Sequence, residues 1–88
     1  MTIGCFEEGY AYPDNDLDKI KDSTSAEQCQ QICQETAGCV GFTFRKGEQR
    51  KKNCYIKHTF EERKPADGAI SGPPSCGIFP STFQYIIL

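Results

Sequence analysis

The chain has no tryptophan, one methionine and one histidine, His58, and each shortage narrows what it can do. A single imidazole, with no recognisable serine or aspartate context around it, gives no basis for nucleophilic catalysis, so no enzymatic activity and no cofactor are expected. No apolar run approaches the ~18 residues of a membrane span, and no membrane insertion is expected. Asn15 and Asn53 both lack a hydroxyl residue two places on, so neither is an N-glycan acceptor. Ten cations stand against twelve anions, a net −2 that is too balanced to argue for nucleic-acid binding. Met1-Thr2-Ile3-Gly4 is not a charged stretch leading into an apolar one. The expectation is that the chain is one module of a longer secreted protein.

What the sequence does have is cysteine. Six cysteines occur in 88 residues, while hydrophobic residues make up 38% of the chain. A domain this small buries only ~60% of the surface its unfolded chain exposes, so its core alone stabilises it marginally. An even set of cysteines in such a chain reads as a disulfide framework, which implies an oxidising, extracellular compartment. Six cysteines allow fifteen pairings. Charge is also unevenly placed: residues 1–44 carry eight acidic side chains and two lysines, and residues 45–88 carry four acidic and eight basic ones.

The clearest element is a helix over about 25–36. Ser25-Ala26-Glu27-Gln28 fits a capping box, in which the Ser25 hydroxyl accepts from the Gln28 amide while Gln28 reaches back. Cys29, Ile32 and Cys33 then recur at i, i+3 and i+4, and Gly38 is placed to end the helix. After it the period becomes two. Val40, Phe42 and Phe44 alternate with Gly41, Thr43 and Arg45, and a second run, Asn53 to Lys57, puts Cys54 and Ile56 on one face. These strands predict an antiparallel hairpin. Ala69–Gly72 reads as a short third strand, and Leu17–Ile20 as a further one. The pattern is α+β: a single helix packed on a small antiparallel sheet. In that arrangement a short loop can join Cys33 to Cys39, a Cys29–Cys54 bridge would bolt helix to sheet, and Cys5 and Cys76 are left.

Ser25-Ala26-Glu27-Gln28-Cys29-Gln30 with Cys33 and Cys39 at CxxxCxxxxxC spacing resembles the apple (PAN) family. So do Gly41-Phe42-Thr43-Phe44, Asn53-Cys54-Tyr55-Ile56-Lys57 and Ala69-Ile70-Ser71-Gly72. The resemblance spans about residues 5–76 and implies one helix on a curved antiparallel sheet with first-to-sixth, second-to-fifth and third-to-fourth disulfides. Those would be Cys5–Cys76, Cys29–Cys54 and Cys33–Cys39. Family members often carry tryptophan after the fifth cysteine, where Tyr55 stands here. The module is expected over 1–76, with 77–88 as a tail or a linker to a following module.

Beside the cysteines the chain offers few site residues. A zinc site would need His58 as its histidine ligand, and the cysteine spacing lacks paired knuckles. Asp14, Asp16 and Asp18 imitate the start of a calcium loop, but Lys19 and Ser25 stand where the turn glycine and the bidentate glutamate belong. No metal site is expected. The stretch Arg45 to Lys52 has five cations and one anion, and clustered cations raise the local potential. By strand parity Thr43, Arg45, Tyr55 and Lys57 face away from the helix, as an exposed recognition face or as a face covered by another segment. Arg45, Lys46, Arg50, Lys51, Lys52, Tyr55 and Lys57 are therefore the candidate ligand-binding residues. The last twelve residues, with Phe79, Phe83, Tyr85 and Ile86, are apolar enough to cover such a face.

The resemblance implies an extracellular, non-catalytic adhesion module for protein or carbohydrate contacts. Within the family it is most similar to a repeat of an apicomplexan (Eimeria-type) microneme adhesin. Such a repeat would act in host-cell attachment from a secretory organelle. Its partners would be a host-cell surface protein or a glycan, sulfated glycans included, and neighbouring apple modules. The alternative is a regulatory apple domain of a serine-protease zymogen that docks substrate or cofactor.

Overall fold

The structure is a computed structural model that describes residues 5–13, 16–46 and 52–76. Five strands and one helix follow in the order β1 (Glu7–Ala11), β2 (Asp16–Lys21), α1 (Ala26–Gln34), β3 (Gly41–Arg45), β4 (Lys52–Lys57) and β5 (Lys64–Gly72). The strands form one antiparallel sheet in the order β1-β5-β3-β4-β2, and α1 packs on β3 and β4 at its centre. The fold is the α+β arrangement of one helix on an antiparallel sheet with three disulfides.

Ser25 caps α1 from an extended conformation, its Oγ accepting from the Gln28 N–H at 3.0 Å. Gln28 reaches back as a capping box requires, but its Oε1 takes the Thr24 N–H at 2.6 Å, one residue further out than the cap itself. The helix ends at Gln34, short of the 36 expected, and Gly38 is not its cap. Glu35 leaves the helical region and its N–H is shared by the Gln31 and Ile32 carbonyls. The Cys33–Cys39 bridge requires this early exit, because it closes a loop of sequence separation six. Gly38, at φ +85°, serves the turn inside that loop.

The core lies between α1 and the central strands. Phe42 pairs with Ile56 and Phe44 with Cys54 across β3 and β4, and all four are buried beneath Cys29 and Cys33 of the helix. Phe6 meets Phe42 edge-on at 5.6 Å. Val40, expected on this apolar face, precedes β3 and is 45% exposed. β1 was not anticipated: Glu7-Glu8-Gly9-Tyr10-Ala11 shows no apolar alternation, and Gly9 at φ +85° sits in a bulge between Glu8 and Tyr10. β5 runs five residues further back than the 69–72 expected. Its first half, with Pro65, Asp67 and Gly68, is poor strand material; Lys64 and Pro65 register with β1, and the Gly68 carbonyl accepts from the Lys46 N–H at 2.8 Å.

Candidate functional site

The three bridges join Cys5 to Cys76, Cys29 to Cys54 and Cys33 to Cys39, with Cα separations of 5.7, 5.5 and 5.4 Å. The first ties the segment before β1 to the segment after β5, the second ties α1 to β4, and the third closes the exit from α1. Among the described residues, a concave surface lies on each side of the sheet.

On the side away from α1, strand alternation sends Thr43, Tyr55, Lys57 and Ser71 outward, yet Thr43, Lys57 and Ser71 are buried. Tyr12 and Phe60 cover them, their rings stacked at 3.6 Å. A Cβ on Gly41 would run into the Phe60 ring, so only glycine allows the strand and the ring to approach this closely. Beneath the lid, Thr43 and Ser71 share a hydroxyl–hydroxyl bond of 2.7 Å, and Ser71 donates to the Tyr10 carbonyl at 2.8 Å. Lys57 pairs with Asp16, with only 4% of its side chain exposed. Of the two readings of this face, an exposed one or one covered by another segment, the covered one describes Thr43, Lys57 and Ser71. Lys57 is committed to an internal ion pair, because β2 lies beside β4 and brings Asp16 opposite it. A hollow of about 200 Å³ remains, where Arg45 and Tyr55 meet Tyr12 and Asp16. The Tyr55 hydroxyl donates to the Lys52 carbonyl at 2.8 Å. Tyr12 donates to Glu7 at 2.6 Å, and its phenol is pushed up to about 12, first by burial and then by that hydrogen bond and charge.

The cationic stretch divides. Arg45 is half-buried at the outer hollow, whereas Lys46, the next residue, lines the surface on the helix side. Lys46 and Lys52 are exposed. Arg50 and Lys51 lie outside the described residues, as do Asp14 and the apolar stretch 77–88. His58 is exposed, Asp16 is held by Lys57, and Asp18 accepts from the Lys19 N–H at 2.8 Å. Among the described residues no group of three or more His, Cys, Asp or Glu is arranged to hold a metal ion. None of the helices there is long and apolar enough to cross a membrane.

The larger concavity, about 640 Å³, opens where the chain enters α1. Phe6, Phe44 and Ile70 line it, together with the turn Asp22-Ser23-Thr24-Ser25 and the polar side chains Glu8, Glu27 and Lys46. Asn53 fixes the turn by accepting from the Ser23 N–H at 3.0 Å and donating to the Ser23 carbonyl at 2.8 Å. Asp22 holds a left-handed φ of 61°, a conformation that aspartate tolerates better than most residues. The Ser23 hydroxyl is buried and has no partner among the described residues. Sequence reasoning did not find this cleft. Its polar turn reads only as a cap, and its other walls come from β1, β3, β4 and β5, brought together by the sheet order. The unusual density of capping residues before α1 was the one available signal.

Two comparisons bear on this architecture. No curated protein matches the chain. A family profile described as the PAN domain matches residues 10–57, which takes in β2, α1, β3, β4 and four of the six cysteines. PAN domains are adhesion and binding modules, generally without catalysis, that mediate protein or carbohydrate contacts, and a disulfide-rich one fits an extracellular protein. With more than half of its length matched and a helix bolted to an antiparallel sheet by disulfides, the chain belongs to the PAN domain family.

Proposed function

We propose that this PAN domain is a non-catalytic adhesion module of a secreted protein, acting as one repeat of a microneme-type adhesin in host-cell attachment. Residues 1–76 form the module in this reading, and 77–88 are a tail or a linker to a neighbouring module. Its partners are a host-cell surface protein or glycan, sulfated glycans included. The observation that carries the reading is the exposure of Lys46 and Lys52 at the facing ends of β3 and β4, flanking the cationic stretch. Exposed cations at the end of a stapled hairpin raise the local potential toward an acidic surface without burdening the core. Arg45 and Tyr55 at the outer hollow extend the candidate set, while Lys57 belongs to it only as support, through its pair with Asp16.

A module of this size presents less than the ~800 Å² per partner of a standard interface, so one copy binds weakly. Linked copies raise affinity through effective concentration. The test compares tandem copies and the single module for binding to cells and to heparin. Tandem copies are expected to bind, the single module weakly. Reversing Arg50, Lys51 and Lys52 to glutamate, or adding salt, should reduce tandem binding at least tenfold without altering the circular dichroism spectrum. Tandem copies that bind neither cells nor heparin defeat the reading.

A further inference from the structure

We propose that the hollow on the side of the sheet away from α1 is a carboxylate site that takes the head of an aspartate or glutamate side chain on a protein partner. The proposal rests on the protein branch of the binding function above and gives it an address and a chemistry. At about 200 Å³ the hollow is too small for a drug-sized ligand and suits a single functional group on a short stem. β3 supplies Thr43 and Arg45, β4 supplies Tyr55 and Lys57, and the segment after β1 brings Tyr12 and Pro13 to the same hollow.

The polar groups of its wall are nearly all taken. Thr43 Oγ1 shares its short bond with Ser71 and accepts from the Tyr12 N–H at 3.4 Å. Tyr12 gives its hydroxyl proton to Glu7, and Tyr55 gives its own to the Lys52 carbonyl. Asp16 faces two cations, Lys57 and, at 3.9 Å, Lys19. Arg45 is the exception. It is half-buried, it lines the hollow, and its guanidinium has no hydrogen bond, ion pair or ring contact among the described residues. Lys57 also keeps ammonium protons beyond the one it gives to Asp16.

What the hollow has left over is therefore donors, and both sets belong to cations. Arg45 and Lys57 against Asp16 leave one positive charge in the wall. A cationic ligand would face that charge, and a wholly apolar one would cover the guanidinium without a partner. A neutral acceptor would leave the charge uncompensated, and an inorganic dianion would exceed it while standing beside Asp16. A carboxylate meets every demand. It only accepts, it carries one negative charge, and its two coplanar oxygens match the guanidinium fork. Its methylene stem then lies against Ala11, Pro13 and the rings of Tyr12 and Tyr55, which their hydroxyl bonds hold in place. A side chain on a partner is the better occupant than a free acid. The free acid gives up its translational freedom for one ion pair, whereas the side chain arrives on a surface that other contacts already hold.

The test is ¹⁵N-resolved NMR titration of the oxidised chain at low salt with acetyl-glutamate N-methylamide, its neutral glutamine counterpart, acetate and methyl sulfate. The glutamyl probe should give saturable shifts at the amides of Thr43, Arg45, Tyr55 and Lys57, and the glutaminyl probe none. Acetate, which has no stem, should bind several-fold more weakly. Arg45→Gln should weaken binding of the glutamyl probe about tenfold or more, and Arg45→Lys by less, because an ammonium keeps the charge without the fork. Both variants should melt with the parent, since the Arg45 guanidinium holds no other described group. Saturation by no probe, equal binding of the glutamyl and glutaminyl probes, or tighter binding of methyl sulfate overturns the proposal. Acetate binding as tightly as the glutamyl probe assigns the hollow to free acids and overturns the partner side chain. Glu48 is the carboxylate nearest to Arg45 along the chain. Binding that appears only in Glu48→Gln gives the hollow to the chain's own glutamate and also overturns the proposal. The two readings fail separately. If tandem copies carrying Arg45→Gln still bind cells in full, the hollow is eliminated and adhesion stands. If the glutamyl probe titrates the hollow but tandem copies bind no cells, the site stands and the adhesin reading falls.

Discussion

On the helix side of the sheet, Phe42, Phe44, Cys54 and Ile56 meet the cysteine-bearing face of α1; on the far side, Thr43, Tyr55, Lys57 and Ser71 of the same strands meet Tyr12 and Phe60. The strands alternate strictly, so each side inherits every second residue. The helix side is apolar and its register is enforced by the Cys29–Cys54 bridge. The far side is polar and its register is enforced by directional contacts: the Asp16–Lys57 pair, the Thr43–Ser71 hydroxyls and the Tyr12–Glu7 bond. Burial without apolarity is the lesson of the far side. Lys57, 3% exposed, is as thoroughly excluded from water as the core residue Ile56 at 2%.

Removing the covalent bolt should break the comparison most severely. The double change Cys29→Ala with Cys54→Ala removes a constraint worth about 3.5 kcal/mol by the loop-entropy relation for its separation of 25 residues. That is comparable with the whole stability of so small a domain. The expected outcome is loss of near-UV dichroism and of cooperative melting near physiological temperature. A cooperative melt within a few degrees of the parent would show that the apolar side holds without its bridge.

On the polar side, Asp16→Ala leaves Lys57 buried without its carboxylate. The expected loss is about 2–3 kcal/mol in urea denaturation, below the ~3–5 kcal/mol of a fully buried pair because Asp16 keeps some contact with water. Replacing both members, Asp16→Leu with Lys57→Met, should recover most of that loss, since no charge is then stranded. If the double variant is as unstable as the single one, the far side depends on the ion pair itself.

The smallest effect sharpens the comparison through pH. Tyr12 has its phenol raised from 10.0 to about 12, mainly by burial, with the Glu7 hydrogen bond and charge adding to it. The folded state therefore keeps a proton that the unfolded state releases. Its contribution is intact below pH 10 and is lost as the pH rises from about 10 to about 12. Short thermal melts of the parent and of Tyr12→Phe should run parallel below pH 10, and the parent should lose stability faster above it. Parallel curves throughout would show that the lid tyrosine has no protonation preference for the fold.

Much of the apolar side was legible along the chain because its signals are local. The capping box before α1, the i, i+3, i+4 recurrence of Cys29, Ile32 and Cys33, and the alternation of Phe42 with Phe44 each occupy a few consecutive residues. Where local signals were read too far, a tertiary constraint had intervened. The helix stops at Gln34 because the Cys33–Cys39 bridge turns the chain, and Val40 is exposed because β3 begins one residue later. The parity of Lys57 was legible too, but its burial was not, since that depends on Asp16 arriving from another strand.

The sequence by itself determined the helix with its cap, the central hairpin pattern, the supply of cysteines and the asymmetry of charge, all of which follow from side-chain chemistry read at helical or strand spacing. The tertiary structure alone decided that β1 and the first half of β5 are strands, since neither has the composition for it and each is a strand because it registers with the other. It also decided which polar residues are buried, and that Phe6, Ser23, Phe44 and Ile70 surround one cleft. Those outcomes depend on strand order, β1-β5-β3-β4-β2, which sets residues up to sixty-odd positions apart in contact, and no periodicity within a single segment encodes that order.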